Sequence, residues 1–128
     1  MPRAAATHPT ELELEILKVL WEEAPLPVRE IRQRLAARGR DLAHTTIITT
    51  LNVMVRKRYA TRTMAGKACL FAPRVAHAQV SRNMLKDLVR RVFDGSAPAV
   101  VLSLFDVADI QQEDLHELKQ IIKQRSQQ

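Results

Sequence analysis

The chain has 128 residues, 46% hydrophobic and 27% charged, a composition that fits one folded soluble domain with an appendage. No apolar run approaches the roughly 20 residues of a membrane helix, so no membrane insertion is expected. "MPRAAATHPT" lacks the apolar core of a secretory signal, and the single Cys69 excludes an internal disulfide, which fits a reducing cytoplasm. The net charge of +6 is unevenly spread: residues 1–28 carry −3, residues 29–74 carry +9, and residues 75–128 balance to zero. A basic zone between flanks without positive charge is the footprint expected of a polyanion-binding module.

In chain order, residues 1–9 are expected to be a disordered N-terminus. "TELE" is a capping box, with Thr10 at the N-cap and Glu13 three residues on. Leu12, Ile16, Val19 and Leu20 then recur at helical spacing, with Leu14, Leu17 and Trp21 widening the apolar face. "APLP" ends this helix. A second helix is predicted over 28–37, burying Val28, Ile31 and Leu35, with Gly39 as its stop.

The third helix, about 43–57, holds "HTTIITTLNVMVR". Ile47, Leu51 and Met54 follow the core spacing. The opposite face carries Thr45, Thr46, Ile48, Thr49, Asn52, Val53 and Arg56, a composition odd for a merely solvated surface, since threonine is a mediocre helix former. The period then changes from 3.6 to 2. "YATRTMAGKACLFAPR" reads as two strands around Ala65-Gly66-Lys67. Three helices and a hairpin make residues 10–74 a winged helix-turn-helix, the hairpin being its wing.

Residues 75–128 read as a helical dimerisation region, so the fold class is mainly α. A long apolar stripe includes Met84, Leu88, Val92 and Phe93. "DGSAP" interrupts it, Val101, Leu104 and Phe105 mark a short helix, and Leu115, Leu118 and Ile122 belong to a last one. Three helices in about 50 residues make a poor isolated core. A homodimer covers them better, and helix-turn-helix proteins use two half-sites.

Catalysis leaves little trace. His8, His44, His77 and His116 are scattered without metal-ligand spacing, Cys69 in a strand reads as a small core residue, and the three glycines are too far apart to cradle a phosphate. Neither enzyme activity nor a cofactor is expected. The basic zone is better explained by double-stranded DNA. In a winged helix the third helix enters the major groove and the wing approaches the backbone. Thr45, Thr46 and Thr49 suit phosphates or base edges, Ile48 a thymine methyl and Asn52 an adenine edge. Arg56, Lys57 and Arg62 are placed for phosphates, Lys67 sits at the wing tip, and Arg32 and Arg40 face the flanking backbone.

With these residues in place, the chain resembles the penicillinase-repressor family of bacterial winged-helix regulators, the BlaI/MecI type. The resemblance runs from about Thr10 to the C-terminus. It rests on Leu17 and Trp21, on Thr45, Thr46, Ile47, Thr49 and Leu51 with Lys57, on Arg62, and on Phe93, Gly95 and Ser96. It implies a homodimeric repressor of β-lactamase or related resistance genes, binding a palindromic operator. It also implies derepression by a membrane sensor-protease system that cuts the C-terminal part. Three departures stand out. Arg58 occupies the place of a glycine common in the family. Ser103-Leu104 aligns with the staphylococcal-type Asn-Phe cleavage bond. The cysteine-rich metal site of the copper-responsive branch has no counterpart. Two other readings are a small-molecule-responsive winged-helix regulator and a winged-helix protein–protein adaptor.

Overall fold

A computed structural model describes residues 8–127, so most of the expected N-terminal tail, residues 1–9, lies outside the described residues. Helix α1 (Glu11–Glu22) starts as its sequence requires. Glu13 N–H donates to Thr10 Oγ1 at 3.2 Å, and Thr10 N–H donates to Glu13 Oε1 at 2.8 Å. These two bonds satisfy backbone donors that a helix start otherwise leaves unpaired.

Strand β1 (Leu26–Pro27) follows, then α2 (Val28–Ala37), α3 (His44–Arg56), β2 (Ala60–Ala65) and β3 (Ala68–Pro73). The sheet is antiparallel in the order β1-β3-β2. It has one strand more than the hairpin read from sequence. β1 is too short to show a period, and it exists because buried Leu26 pairs with buried Phe71. The β2–β3 register runs from Ala60↔Pro73 to Ala65↔Ala68, leaving Gly66 and Lys67 as a two-residue turn. Gly66 has φ +63°, the conformation a hairpin turn asks of its first central residue.

Ile16, Leu17 and Val19 of α1, Ile31 and Leu35 of α2, and Ile47, Leu51 and Met54 of α3 are fully buried, with Phe71 of β3 beside them. All three core positions read for the third helix are therefore internal. Tertiary burial of about 2 kcal/mol per large apolar side chain outweighs the few tenths lost at each threonine.

The ends of α2 and α3 share one design with different residues. After α2, Arg40 N–H donates to Leu35 O and Gly39 N–H to Ala36 O, with Gly39 at φ +92°. After α3, Tyr59 N–H donates to Met54 O and Arg58 N–H to Val55 O, with Arg58 at φ +69°. Both are Schellman closures, but the second places an L side chain where glycine is favoured. Arg58→Gly is expected to raise unfolding stability by about 1 kcal/mol, the relief of left-handed strain less the entropy glycine adds to the unfolded chain. Denaturant titration checks this; a loss of stability would mean that the arginine side chain makes contacts worth more than the strain.

Helices α4 (His77–Val92), α5 (Ala97–Val107) and α6 (Gln112–Ser126) complete the chain. The chain divides into two compact units between Met84 and Leu85, inside α4. In the first unit, Trp21 Nε1–H donates to Val75 O at 2.8 Å, and the Trp21 ring meets His77 edge-on, centroids 4.9 Å apart. α1 thereby holds the start of α4. In the second unit, Asp94 and Gly95 both have positive φ and stop α4. Ser96 then caps α5, accepting from Ala99 N–H at 3.1 Å. These bonds give "FDGSAP" its role as a helix–helix corner. Among the described residues, no helix is long and apolar enough to cross a membrane.

Candidate nucleic-acid interface

The face of α3 opposite its core anchors is exposed at Thr45, Thr46, Thr49, Asn52 and Arg56. Thr49, Asn52, Val53 and Arg56 lie at i, i+3, i+4 and i+7, so one side of the helix presents them together. With Val55 and Arg62 of β2 they line an open cleft of about 510 Å³. Across it Arg62 Nη1–H donates to Asn52 Oδ1 at 2.7 Å, a bond short enough to mark its charge assistance.

The other positions read for DNA contact are placed differently. Thr45 and Thr46 stand exposed in the first turn of α3, and Lys67 is exposed in the wing turn. Ile48 is half-buried and packs against the core, so it presents less apolar surface than a free-standing side chain. Thr50, the fourth threonine, bonds back to Thr46 O at 2.8 Å. Arg32 Nε–H donates to Leu42 O at 2.8 Å, holding the α2–α3 connection. Arg40 pairs with Glu15 at 3.0 Å.

Lys57 turns to α1. Its ammonium sits 3.0 Å from Glu13 Oε2 and 3.2 Å from Oε1, and Glu13 is buried. The same ammonium lies 6.0 Å from the centre of the Tyr59 ring. Partial burial pushes the Tyr59 phenol above its usual pKa of 10.0, Glu13 adds to the rise and Lys57 opposes it.

The acids of α1 thus take up cations of the basic zone: Glu13 holds Lys57, Glu15 holds Arg40, Glu22 holds Arg38, and Glu23 holds Arg34. Among the described residues, Arg56, Arg62 and Lys67 join no ion pair. The tertiary fold therefore divides the positive charge counted along the sequence. Part of it is neutralised against α1, and the part on α3 and the wing stays available.

Two features of this face escaped the sequence reading. The N-cap of α3 is Ala43, which has no side chain to bond the first-turn amides, so those N–H groups are left for an external acceptor. The Asn52–Arg62 bond joins a helix to a strand ten residues away, a separation with no periodic signal. Cys69 is half-buried against the core. No cluster of three or more histidine, cysteine or acidic side chains able to hold a metal occurs among the described residues.

Of the positions read for dimerisation, Met84, Phe93 and Leu115 are half-buried, whereas Leu88, Val92, Val101, Leu104, Phe105, Leu118 and Ile122 are exposed. Neither α5 nor α6 has a buried residue. Ser103 and Leu104, the candidate cleavage pair, lie inside α5.

Three tightly packed helices, a small sheet and a hairpin beside the third helix define a winged-helix protein. The penicillinase repressor family profile matches residues 9–124. The chain belongs to this family of transcriptional repressors. It is 28% identical over 123 residues to the transcriptional regulator BlaI of Mycobacterium tuberculosis, covering 91% of this chain and 88% of that one. It is 21% identical over 115 residues to the penicillinase repressor of Bacillus licheniformis, covering 90% and 89%. It is 20% identical over 113 residues to the methicillin resistance regulatory protein MecI of Staphylococcus epidermidis, covering 88% and 91%.

Proposed function

We propose that the protein is a cytoplasmic, homodimeric repressor that binds a palindromic operator through α3 and the wing. The observation that carries this reading is the cleft beside α3. Hydroxyls, an amide and two arginines converge there on a helix whose other face is fully buried. A helix so anchored presents its outer face with little freedom left to lose on binding. Thr45, Thr46, Thr49 and Asn52 would meet base edges or nearby phosphates, while Arg56, Arg62 and Lys67 would neutralise backbone charge.

Dimerisation is supported by the second unit. Leu102 is 69% exposed, Phe105 50%, Val107 80% and Ile122 63%. So much apolar surface in water marks an interaction face. A dimer would couple two half-site contacts and block polymerase by occupying the promoter. Genes of the β-lactamase or antibiotic-resistance type are the proposed targets. Derepression would follow proteolysis in the C-terminal region, driven by a membrane sensor-protease system. A cut within α5 at Ser103-Leu104 would require that helix to open locally, because a helical bond is not in the extended form proteases bind.

The test is binding-site selection from a random DNA pool followed by titration at 50 and 200 mM salt. A palindromic site is expected, with affinity falling by about 10³-fold or more between the two salts for a dimer making six to ten phosphate contacts. Arg56→Ala should weaken binding to all sequences alike and reduce the salt slope by about 1. Thr49→Ala should relax preference at one base pair per half-site. Equal losses on selected and random DNA for both variants would refute this division of roles.

A further inference from the structure

The cleft beside α3 suggests more than a list of contacts, because two of its residues already touch. Asn52 can normally pair with adenine through both ends of its amide, Oδ1 accepting from N6–H and Nδ2–H donating to N7. Here Oδ1 accepts from the Arg62 guanidinium at 2.7 Å. Guanidinium has donors only, so the amide end facing it must be the oxygen. This bond fixes which way the amide points.

We propose that Arg62 is a positioning residue for base recognition: it holds Asn52 as a donor, so that the base met by Asn52 is chosen for major-groove acceptors, guanine above all, rather than as adenine. This rests on the DNA-binding reading of α3. The cation beside Oδ1 repels a second donor such as the adenine amino group. It also polarises the amide, strengthening Nδ2–H toward guanine O6 and N7.

The backbone makes this arrangement stiff. Arg62 pairs in register with Phe71, whose side chain is 1% exposed, and Asn52 follows the fully buried Leu51 on α3. Both ends of the bond are therefore mounted on elements fixed by the core. Both side chains are themselves exposed, so substitution leaves that core intact. Arg56, the other guanidinium of the cleft, joins no ion pair among the described residues and is free to take a phosphate while Arg62 holds the amide.

Selection from a random DNA pool with the full chain tests the proposal in four forms. Asn52→Ala identifies the position it reads, as the one whose preference disappears. At that position the wild type should select guanine. Arg62→Met should shift the choice toward adenine by about tenfold while the rest of the site is retained. Arg62→Lys, which keeps a cationic donor, should keep guanine. Thermal melts of the four proteins should coincide. An Arg62→Met protein that loses affinity for all sequences but keeps its preference would overturn the proposal, since Arg62 would then serve phosphates alone. So would adenine selected by the wild type, an Arg62→Lys profile matching Arg62→Met, or no position erased by Asn52→Ala. In those cases the DNA-binding reading stands. A wild type that selects no sequence at all would overturn both.

Discussion

Phe105→Glu is expected to leave the protein monomeric at micromolar concentration and to weaken operator binding by about 10²-fold or more, the scale of the advantage lost when two linked sites stop acting together. Phe105 is half exposed in the single chain and lies on α5, a helix with no buried residue. A carboxylate there disturbs no internal packing of the protomer, yet it would be costly in an apolar interface that takes it out of water. Ile122→Glu on α6, at a position 63% exposed, should act in the same direction. Sedimentation gives the oligomeric state and gel shift the affinity. The winged-helix unit should melt as before, because its core lies in α1, α2, α3 and β3. A variant that stays dimeric would place the interface elsewhere; one that becomes monomeric but binds the palindrome undiminished would remove the need for coupled half-sites.

Lys57→Ala is expected to cost about 2–3 kcal/mol of stability while changing DNA affinity little. The Glu13 side chain is 3% exposed and that of Lys57 33%. Removing the lysine leaves a buried carboxylate with the Thr10 N–H as its remaining hydrogen-bond donor. Breaking a fully buried pair costs about 3–5 kcal/mol, and the exposed end of Lys57 lowers that figure through solvent screening. Replacing both partners, as in Glu13→Gln with Lys57→Met, should recover part of the loss, and a double-mutant cycle measures the coupling. At a temperature where both proteins are folded, the salt slope of DNA binding should match the wild type. A slope smaller by about 1 would mean that Lys57 leaves Glu13 to meet a phosphate, as its position in the sequence first suggested.

These two expectations differ in how visible they were beforehand. The apolar stripes of residues 75–128 were legible because helical spacing is a local property, and their exposure in one chain is what a shared interface requires. The pairing of Glu13 with Lys57 spans 44 residues, and no local pattern announces it. Lys57 looked like one more cation in a basic run. Only the packing of α1 against the end of α3 makes it a structural residue.

The amino-acid sequence alone determined what backbone geometry carries over three or four residues. The Thr10–Glu13 capping box, the Ile47, Leu51 and Met54 core line, the Gly39 stop and the hairpin turn at Gly66 all follow from local sterics and hydrogen bonding. The order of those elements was enough for a winged helix with a helical appendage. Tertiary structure decided what depends on distant segments meeting. It added β1 through Leu26 and Phe71, placed Arg34, Arg38, Arg40 and Lys57 against the acids of α1, and joined Asn52 to Arg62. Charge along a chain adds without regard to position, but its field depends on which opposite charges lie within a few ångströms. For that reason the sequence could locate the basic zone, and only the fold could separate the cations that hold the protein together from those left to face DNA.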